Sequence, residues 1–429
     1  MEKLRLLQIS DIHWQKKYDL DDDYSDIREG MLNDLRNCMI NNKRGFDKIL
    51  ICGDIAFSGQ KEEYKRAEKF IDQLCSITKC SAHEVYTVPG NHDKNLKLQF
   101  KTTREIINYG FECGLKNGSN DERWSNMLRN EYAIVKLLYK PFENYYHFAS
   151  SNFDSGETTM ANALDLKHEI FSEHEDEMYW RSDGDDLSGY NIVLYGVNTA
   201  LMSDLNDYDP GVKDEGHKLF LSKLAYRAGT INKNKTINIL MAHHPIKFLM
   251  SANSIQEDLD KRYHVQFYGH VHIDDSDCKN GAVHVYSGAL NPGDINDKKY
   301  EPIYNIVELW IEHDKQADYL HVNLMVRHWN GYDFECKNNL SFTIPIKNHD
   351  TWKESNMAQP VQLLPNGVTK RDIRMQFKSS PKQDDIVEKM YPHKYGDQMV
   401  TYTRNQLFLE QVRIDDKWNE LYNLIIQDD

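Results

Sequence analysis

The sequence predicts an α/β protein whose first sheet is built from β–α–β units, with a second sheet packed on it. Two observations predict this. Strand-like and helix-like runs alternate through the first 93 residues. After an intervening stretch, short strand-like runs follow one another closely from Tyr190 to Trp329. Turn signals such as Asn280-Gly281 and Asn291-Pro292-Gly293 separate them.

Taken in order, Leu4–Ile9 reads as a strand. Residues 25–40 carry Ile27, Met31, Leu35 and Met39 at helical spacing. Lys48–Cys52 is a second strand, 62–76 a second helix and 84–88 a third strand. The segment 94–189 breaks this rhythm and is expected to be an insertion over one side of a site. It holds a helix over 124–139 stopped by Pro141, then the aromatic run Tyr145-Tyr146-His147-Phe148. An acidic stretch follows from His168 through Glu173, Glu175, Asp176 and Glu177 to Asp186. The aromatic run is expected to pack within the insertion, and the acidic residues to form solvated faces. Strand-like runs resume at Tyr190–Val197, with a helix over 214–227 and strands over 236–242, Val265–Tyr268, Ala282–Tyr286, 303–310 and 319–329. The main domain is therefore drawn at 1–346. The remainder, 347–429, reads as an appendage: a linker-like stretch with Pro360, Pro365 and Gly367, then an amphipathic helix over 403–426 suited to a homo-oligomer or partner-protein contact.

Composition narrows the class. Of 429 residues, 40% are hydrophobic and 28% charged, ordinary for a globular chain with a sizeable core. No apolar run is long enough to span a bilayer, so no membrane association is expected. The terminal helix has a polar face of mixed sign rather than a basic one. The first strand starts almost at Met1 and leads into the first motif, so cleavage of a leader would remove it; a cytoplasmic location is expected. Cys38, Cys52, Cys75, Cys80, Cys113, Cys278 and Cys336 form no CxxC pair, so they are expected to be reduced and mostly buried. A net charge of −15 argues against unaided, sequence-independent grip on nucleic acid.

Five separated segments then place metal-ligating residue types just after apolar runs. They are Asp11-Ile12-His13, Gly53-Asp54, Gly90-Asn91-His92-Asp93, His243-His244-Pro245 and Gly269-His270-Val271-His272. Mixed carboxylate, amide and imidazole donors suit borderline divalent ions such as manganese, iron or zinc. An i, i+2 pair such as Asp11/His13 or His270/His272 converges where the chain curls away from a strand. The neighbouring glycines are expected to let the backbone turn sharply beneath the ions. Asp-x-His alone is weak and Gly-Asn-His-Asp after a strand is strong; the force lies in all five in one order.

In this order the motifs resemble the calcineurin-like metallophosphoesterase superfamily, over roughly 4–272. The wording of 7–13 and 53–59 is most similar to its cyclic-nucleotide phosphodiesterase-like branch. The resemblance implies a sandwich of two β-sheets flanked by helices. It also implies that Asp11, His13 and His272 hold one divalent ion, that Asn91, His243 and His270 hold a second, and that Asp54 bridges both. His244 is the weaker candidate of its pair. His92 would face substrate as the catalytic acid, with Asp93 orienting the loop from behind. One departure is that Phe57 stands where some phosphatases of the superfamily carry an extra Asp supporting that histidine. Lys94 is expected to be solvated, Asn198 and Thr199 to cap a turn, and His328 to end a strand as a satisfied side chain.

The expected function is hydrolysis of a nucleotide-type phosphodiester by metal-bridged hydroxide attack. A nuclease acting on DNA or RNA, with a partner subunit supplying the grip, is the alternative. Behind these stand a phosphomonoesterase and a non-catalytic metal-binding regulatory subunit.

Overall fold

The computed structural model describes residues 2–15, 24–42, 44–99, 105, 137–152, 179–182, 185–204, 219–227, 235–271, 276–291, 301–315, 317–348, 373, 376–377, 380–392, 404–405, 408–409, 412 and 417–426. The chain divides into two compact units, Met1–His349 and Asp350–Asp429.

In the first unit β1 (Leu4–Ile9), β2 (Lys48–Cys52) and β3 (Val85–Val88) run parallel, joined by crossovers containing α1 (Ser25–Asn41) and α2 (Lys61–Thr78). Three long strands from later in the chain extend this sheet in antiparallel fashion from β1. They are β11 (Ile303–His313), β12 (Ala317–Trp329) and β13 (Phe334–Asn348). The order is β13-β12-β11-β1-β2-β3. The second sheet has a parallel centre of β6 (Tyr190–Val197), β7 (Thr236–Met241), β8 (Val265–Tyr268) and β10 (Ala282–Tyr286). Antiparallel strands flank it: β4 (Tyr179–Arg181), β5 (Asp185–Leu187) and β9 (Asp277–Lys279). The architecture is two mixed sheets flanked by helices, as expected.

The period-2 alternation of each strand decides the layers. Leu4 and Leu6 of β1 and Leu50 and Cys52 of β2 point between the sheets, where they meet Leu194, Ile239, Met241, Phe267 and Val285. Leu7, Ile9, Ile49 and Ile51 point the other way, onto Met31, Leu35, Tyr64, Phe70 and Leu74 of α1 and α2. Each such buried side chain stabilises the fold by about 1.5–3 kcal/mol relative to exposure. Ligand-bearing loops therefore leave the carboxyl ends of strands whose both faces are covered.

Several expectations change. β4 and β5 lie within the expected insertion yet are strands of the second sheet, so that segment ends earlier than 189. Of its helix over 124–139 only the last three residues are described, and the acidic stretch from His168 to Glu177 lies outside the described residues. The aromatic run sits on α3 (Glu143–Asn152) and packs into the main core: Tyr145 bonds Thr87 at 2.8 Å, and Phe148 stacks on Tyr64. Residues 214–227 do not form one helix. Leu219 is extended and bridges Leu249, exchanging backbone bonds with Phe248 and Met250, which takes it out of any helix. Among the described residues 219–227 the helix is α4 (Lys223–Tyr226). Lys94 is buried rather than solvated, donating to the carbonyls of Leu201 and Ser203. α5 (Ala252–Arg262) follows the His243-His244-Pro245 loop.

The second unit has its own apolar core, with Ile373, Phe377, Ile386, Phe408, Val412, Trp418 and Leu421 among its members. It contains α6 (Gln383–Met390) and α7 (Trp418–Ile426). The single helix expected over 403–426 is broken at Lys417, whose N–H donates to the carbonyl of Val412 before α7 begins. Among the described residues six cysteines are free thiols, of which Cys278 and Cys336 are exposed rather than buried. No helix among them is long and apolar enough to cross a membrane.

Candidate metal centre

Five loops from both sheets converge at one end of the sandwich. Asp11 and His13 follow β1, Asp54 follows β2, Asn91 and His92 follow β3, His243 and His244 follow β7, and His270 follows β8. Ligating atoms of Asp11, Asp54, His243 and His270 all lie within 4.8 Å of one another. The same holds for His13, Asp54 and His92, and for His243, His244 and His270. Asn91 joins through its Oδ1, 3.2 Å from His243 Nε2. Asp54 alone belongs to both carboxylate-containing groups, the position a bridging ligand needs. Among the described residues Asp11 groups with His243 and His270, and His13 with Asp54 and His92. His272 lies outside the described residues.

The local backbone explains the convergence. Asp11, His13, Asp54 and His270 all have positive φ, at 53°, 50°, 51° and 65°. A left-handed residue just past a strand curls the chain, so that residues two apart turn to one side. The loops are laced together by backbone bonds: Asp11 N to Gly53 O and His13 N to Asp54 O, both 3.0 Å, and Gly269 N to His243 O at 2.9 Å. Of the motif glycines Gly53 makes the expected turn, with φ 88°. At Gly90 the need is space, because a Cβ would lie 2.1 Å from Asp54 Oδ1.

Hydrogen bonds to the far side of each ring set its tautomer. His13 Nδ1 donates to Asn291 O at 2.9 Å, and His243 Nδ1 donates to Cys52 O at 2.8 Å. Both therefore aim Nε2 at Asp54 Oδ2, at 3.3 and 3.2 Å. Two imidazole nitrogens, a carboxylate and the amide oxygen of Asn91 thus turn acceptor atoms toward one another, an arrangement that suits cations among them. The donor set fits divalent metal ions on that ground. Asp54 is tied further by His92 N, which donates to Oδ1 at 2.7 Å, and Asp11 by Ser10 Oγ and by His270 N at 3.0 Å.

Charge compensation within the protein is strong. Burial disfavours the Asp54 carboxylate, yet His243, His92 and His13 more than offset it and hold the group well below the usual range. Burial likewise opposes protonation of His243, but Asp54 raises it to about 9. His244 is driven well below the usual imidazole value by burial and by the neighbouring His270 and His243. Its Nδ1 meets Thr199 Oγ1 at 3.0 Å, so Thr199 positions a ring as well as ending a strand. Asp93 is raised to about 7 by burial and by the Asp54 charge. It receives Ala56 N at 2.9 Å, Gly90 N at 3.0 Å and the Tyr64 hydroxyl at 3.0 Å, orienting two ligand loops from behind. His92 rests its Nδ1 on the carbonyl of Phe57 at 2.8 Å, so a backbone oxygen does what the missing Asp would do. Asn291, which the sequence offered only as a turn residue, closes the site behind His13. Its carbonyl receives His13 Nδ1, and its side-chain amide donates to the Ile12 carbonyl within the same motif.

A family model described as calcineurin-like phosphoesterase matches residues 4–274. No curated protein matches the chain. Among solved structures the chain is similar to Plasmodium GAP50, described as the anchor in the inner membrane complex, at 12% identity over 80% of this chain and 89% of that one, TM-score 0.41. It is also similar to purple acid phosphatase PPD1 of yellow lupin (Lupinus luteus), at 13% identity over 80% and 54% of the respective chains, TM-score 0.39. A zinc-complexed wild-type Vps29 of Entamoeba histolytica is 9% identical over 80% and 100%, TM-score 0.29.

Proposed function

The chain belongs to the calcineurin-like phosphoesterase family, and from that premise we propose that it is a phosphodiesterase for nucleotide-type substrates, dependent on two divalent metal ions. The observation that carries the proposal is the convergence of Asp11, His13, Asp54, Asn91, His243 and His270 from both sheets, with His92 beside Asp54. When bound, divalent ions supply Lewis acidity and a nucleophile ionised near neutral pH. The protein's part is to hold and aim. Asp54 spans the cluster, the Cys52 and Asn291 carbonyls orient His243 and His13, and Asp93 fixes the loops. His92 has Nδ1 committed to the Phe57 carbonyl, which leaves the opposite nitrogen to carry a proton to the departing oxygen.

Preference for a diester is supported by Lys94. The dianion of a monoester is best met by an added cation, and the lysine next to the Gly90-Asn91-His92-Asp93 loop is turned onto the carbonyls of Leu201 and Ser203 instead. The nucleotide part rests on the wording of 7–13 and 53–59. The manganese-loaded protein should hydrolyse bis(p-nitrophenyl) phosphate faster than p-nitrophenyl phosphate, and cyclic nucleotides without cutting DNA. Cleavage of single- or double-stranded DNA would transfer the assignment to a nuclease. No turnover at full metal occupancy would overturn it.

A further inference from the structure

The layer between the sheets is apolar through its middle; buried Lys48 pairs with Asp185 and Glu84 at one end, and at the ligand-bearing end two amides face across it. Gln8 and Asn305 are direct partners on β1 and β11, and Tyr268 and Tyr286 are direct partners on β8 and β10. One pair reaches the other. Gln8 Nε2 donates to Tyr268 O at 3.1 Å, and Asn305 Nδ2 donates to Tyr286 O at 2.9 Å. Asn305 Nδ2 also donates to Gln8 Oε1 at 2.9 Å, linking the amides. Both residues are fully buried, with Leu6 and Val307 of the apolar layer two positions away on their strands.

Folding alone gives little reason for this pair. Tyr268 O already accepts the Ser287 N–H at 2.9 Å, and Asn305 Oδ1 is buried with no hydrogen-bond partner. What amides add is a fixed length and direction, where apolar surfaces can slide. The position matters because the proposed centre draws ligands from both sheets. Asp11 lies three residues beyond Gln8, and His270 two beyond Tyr268. The two loops touch where His270 N donates to Asp11 Oδ2.

We infer that the Gln8–Asn305 pair is a positioning clamp that sets the spacing of the two sheets at the metal centre and thereby the affinity for divalent ions. This rests on the metal-dependent reading above. The test is titration of the full-length protein with manganese(II) by calorimetry, alongside thermal melts. Gln8→Leu/Asn305→Leu should bind manganese about 10–100-fold more weakly, the range seen when groups behind metal ligands are removed. The exchange Gln8→Asn/Asn305→Gln, which keeps an amide pair of the same total length, should return most of the affinity. Val322→Ala, a cavity in the same apolar layer, should lower the melting temperature and leave affinity alone. If the double leucine variant does not fold, Gln8→Met carries the same expectation, since it leaves the Asn305 bond to Tyr286 in place. Parental affinity in the apolar variants, or equal weakening in Val322→Ala, would overturn the clamp while leaving the function standing. A parent protein that binds no manganese, or binds it equally after Asp54→Ala, would overturn both.

Discussion

Gly90→Ala offers the most direct test of how tightly Asp54 is built in. The backbone at Gly90 is not left-handed, so alanine meets no torsional objection there. Its Cβ would sit 2.1 Å from Asp54 Oδ1, 2.6 Å from Asp54 N and 2.7 Å from Asp54 Cγ. Going from 2.1 Å to 3.0 Å, the shortest approach a Cβ tolerates, needs a retreat of about 0.9 Å. The main chain of Asp54 cannot easily supply it, because its carbonyl accepts His13 N and its neighbours lie in the same backbone lacing. The 2.6 Å approach to Asp54 N forces the two loops apart, and the carboxylate moves with them, away from His13 and His243, which now stand 3.3 and 3.2 Å from Oδ2. Metal and catalytic constellations tolerate about 0.5 Å of misplacement, and a shift near 1 Å costs about 10²-fold in rate. Gly90→Ala should therefore weaken manganese binding at least tenfold and lower turnover of bis(p-nitrophenyl) phosphate at saturating manganese by about 10²-fold. Circular dichroism should show an intact fold. The comparison is Gly331→Ala, where φ is 102° and no atom lies within 4 Å of the new Cβ. That change should cost roughly 1–2 kcal/mol of stability and leave the centre untouched. Parental metal affinity and turnover in folded Gly90→Ala would refute the role given to Asp54.

His92→Ala should lower turnover by about 10²–10⁴-fold with metal content near normal, whereas Asp54→Ala should empty or scramble the centre. Equal metal loss in the two, by elemental analysis, would refute the division of roles. Arg327 holds Asp34 through Nε at 2.8 Å and through Nη2, and Tyr304 donates to the same carboxylate. Arg327→Met should cost about 3–5 kcal/mol in urea denaturation, and adding Asp34→Leu should recover much of it; no recovery would mean that packing rather than charge explains the loss. His284 lies between Asp260 at 3.0 Å and Asp277 at 2.7 Å. Burial opposes its charge, but the two carboxylates more than offset this and raise its pKa. The folded protein thus keeps a proton that the unfolded chain releases. The stability it confers is full below about pH 6.5 and is lost as pH rises through the raised value. Urea midpoints from about pH 6 to about pH 9 should fall more steeply in the parent than in His284→Gln. Parallel curves would rule this contribution out.

The parts of the fold legible in the sequence are those whose two faces bury different things. β1 and β2 alternate between two apolar environments and α1 and α2 repeat at helical spacing, so the first 93 residues could be read almost element by element. β13 was not legible because it is an edge strand: most of its side chains are exposed, Asn338-Asn339 imitates a turn, and Pro345 is tolerated only where a ladder can forgo a donor. β4, β5 and β9 are three residues each, too short for any period to register. Ligand residue types were legible because Asp, Asn and His beside glycine after an apolar strand have little packing purpose. Their supports were not. The carbonyls of Asn291, Cys52 and Phe57 are groups that every residue carries, and Ser10 acts through a hydroxyl that none of the five motifs includes, so only their placement reveals them.

That placement has a physical consequence for how the centre is made. Four expected ligands, Asp11, His13, Asp54 and His270, sit in left-handed backbone. At roughly 1–2 kcal/mol each for an L-residue, the strain approaches the net stability of an ordinary domain, about 5–15 kcal/mol. The attraction of His243, His92 and His13 for Asp54 offsets part of it. The backbone adds to this: Asp11 to Gly53, His13 to Asp54, Trp14 to Ile55 and Gly269 to His243 form a ladder beyond the strand ends. Two amides, His92 N and His270 N, add charge-assisted bonds to the carboxylates of Asp54 and Asp11. Each bond joins loops that follow different strands: five link neighbouring strands of one sheet, and His270 N to Asp11 links the two sheets. The aim of the ligands therefore depends on both sheets being in place, and a divalent ion would meet side chains that the fold already orients.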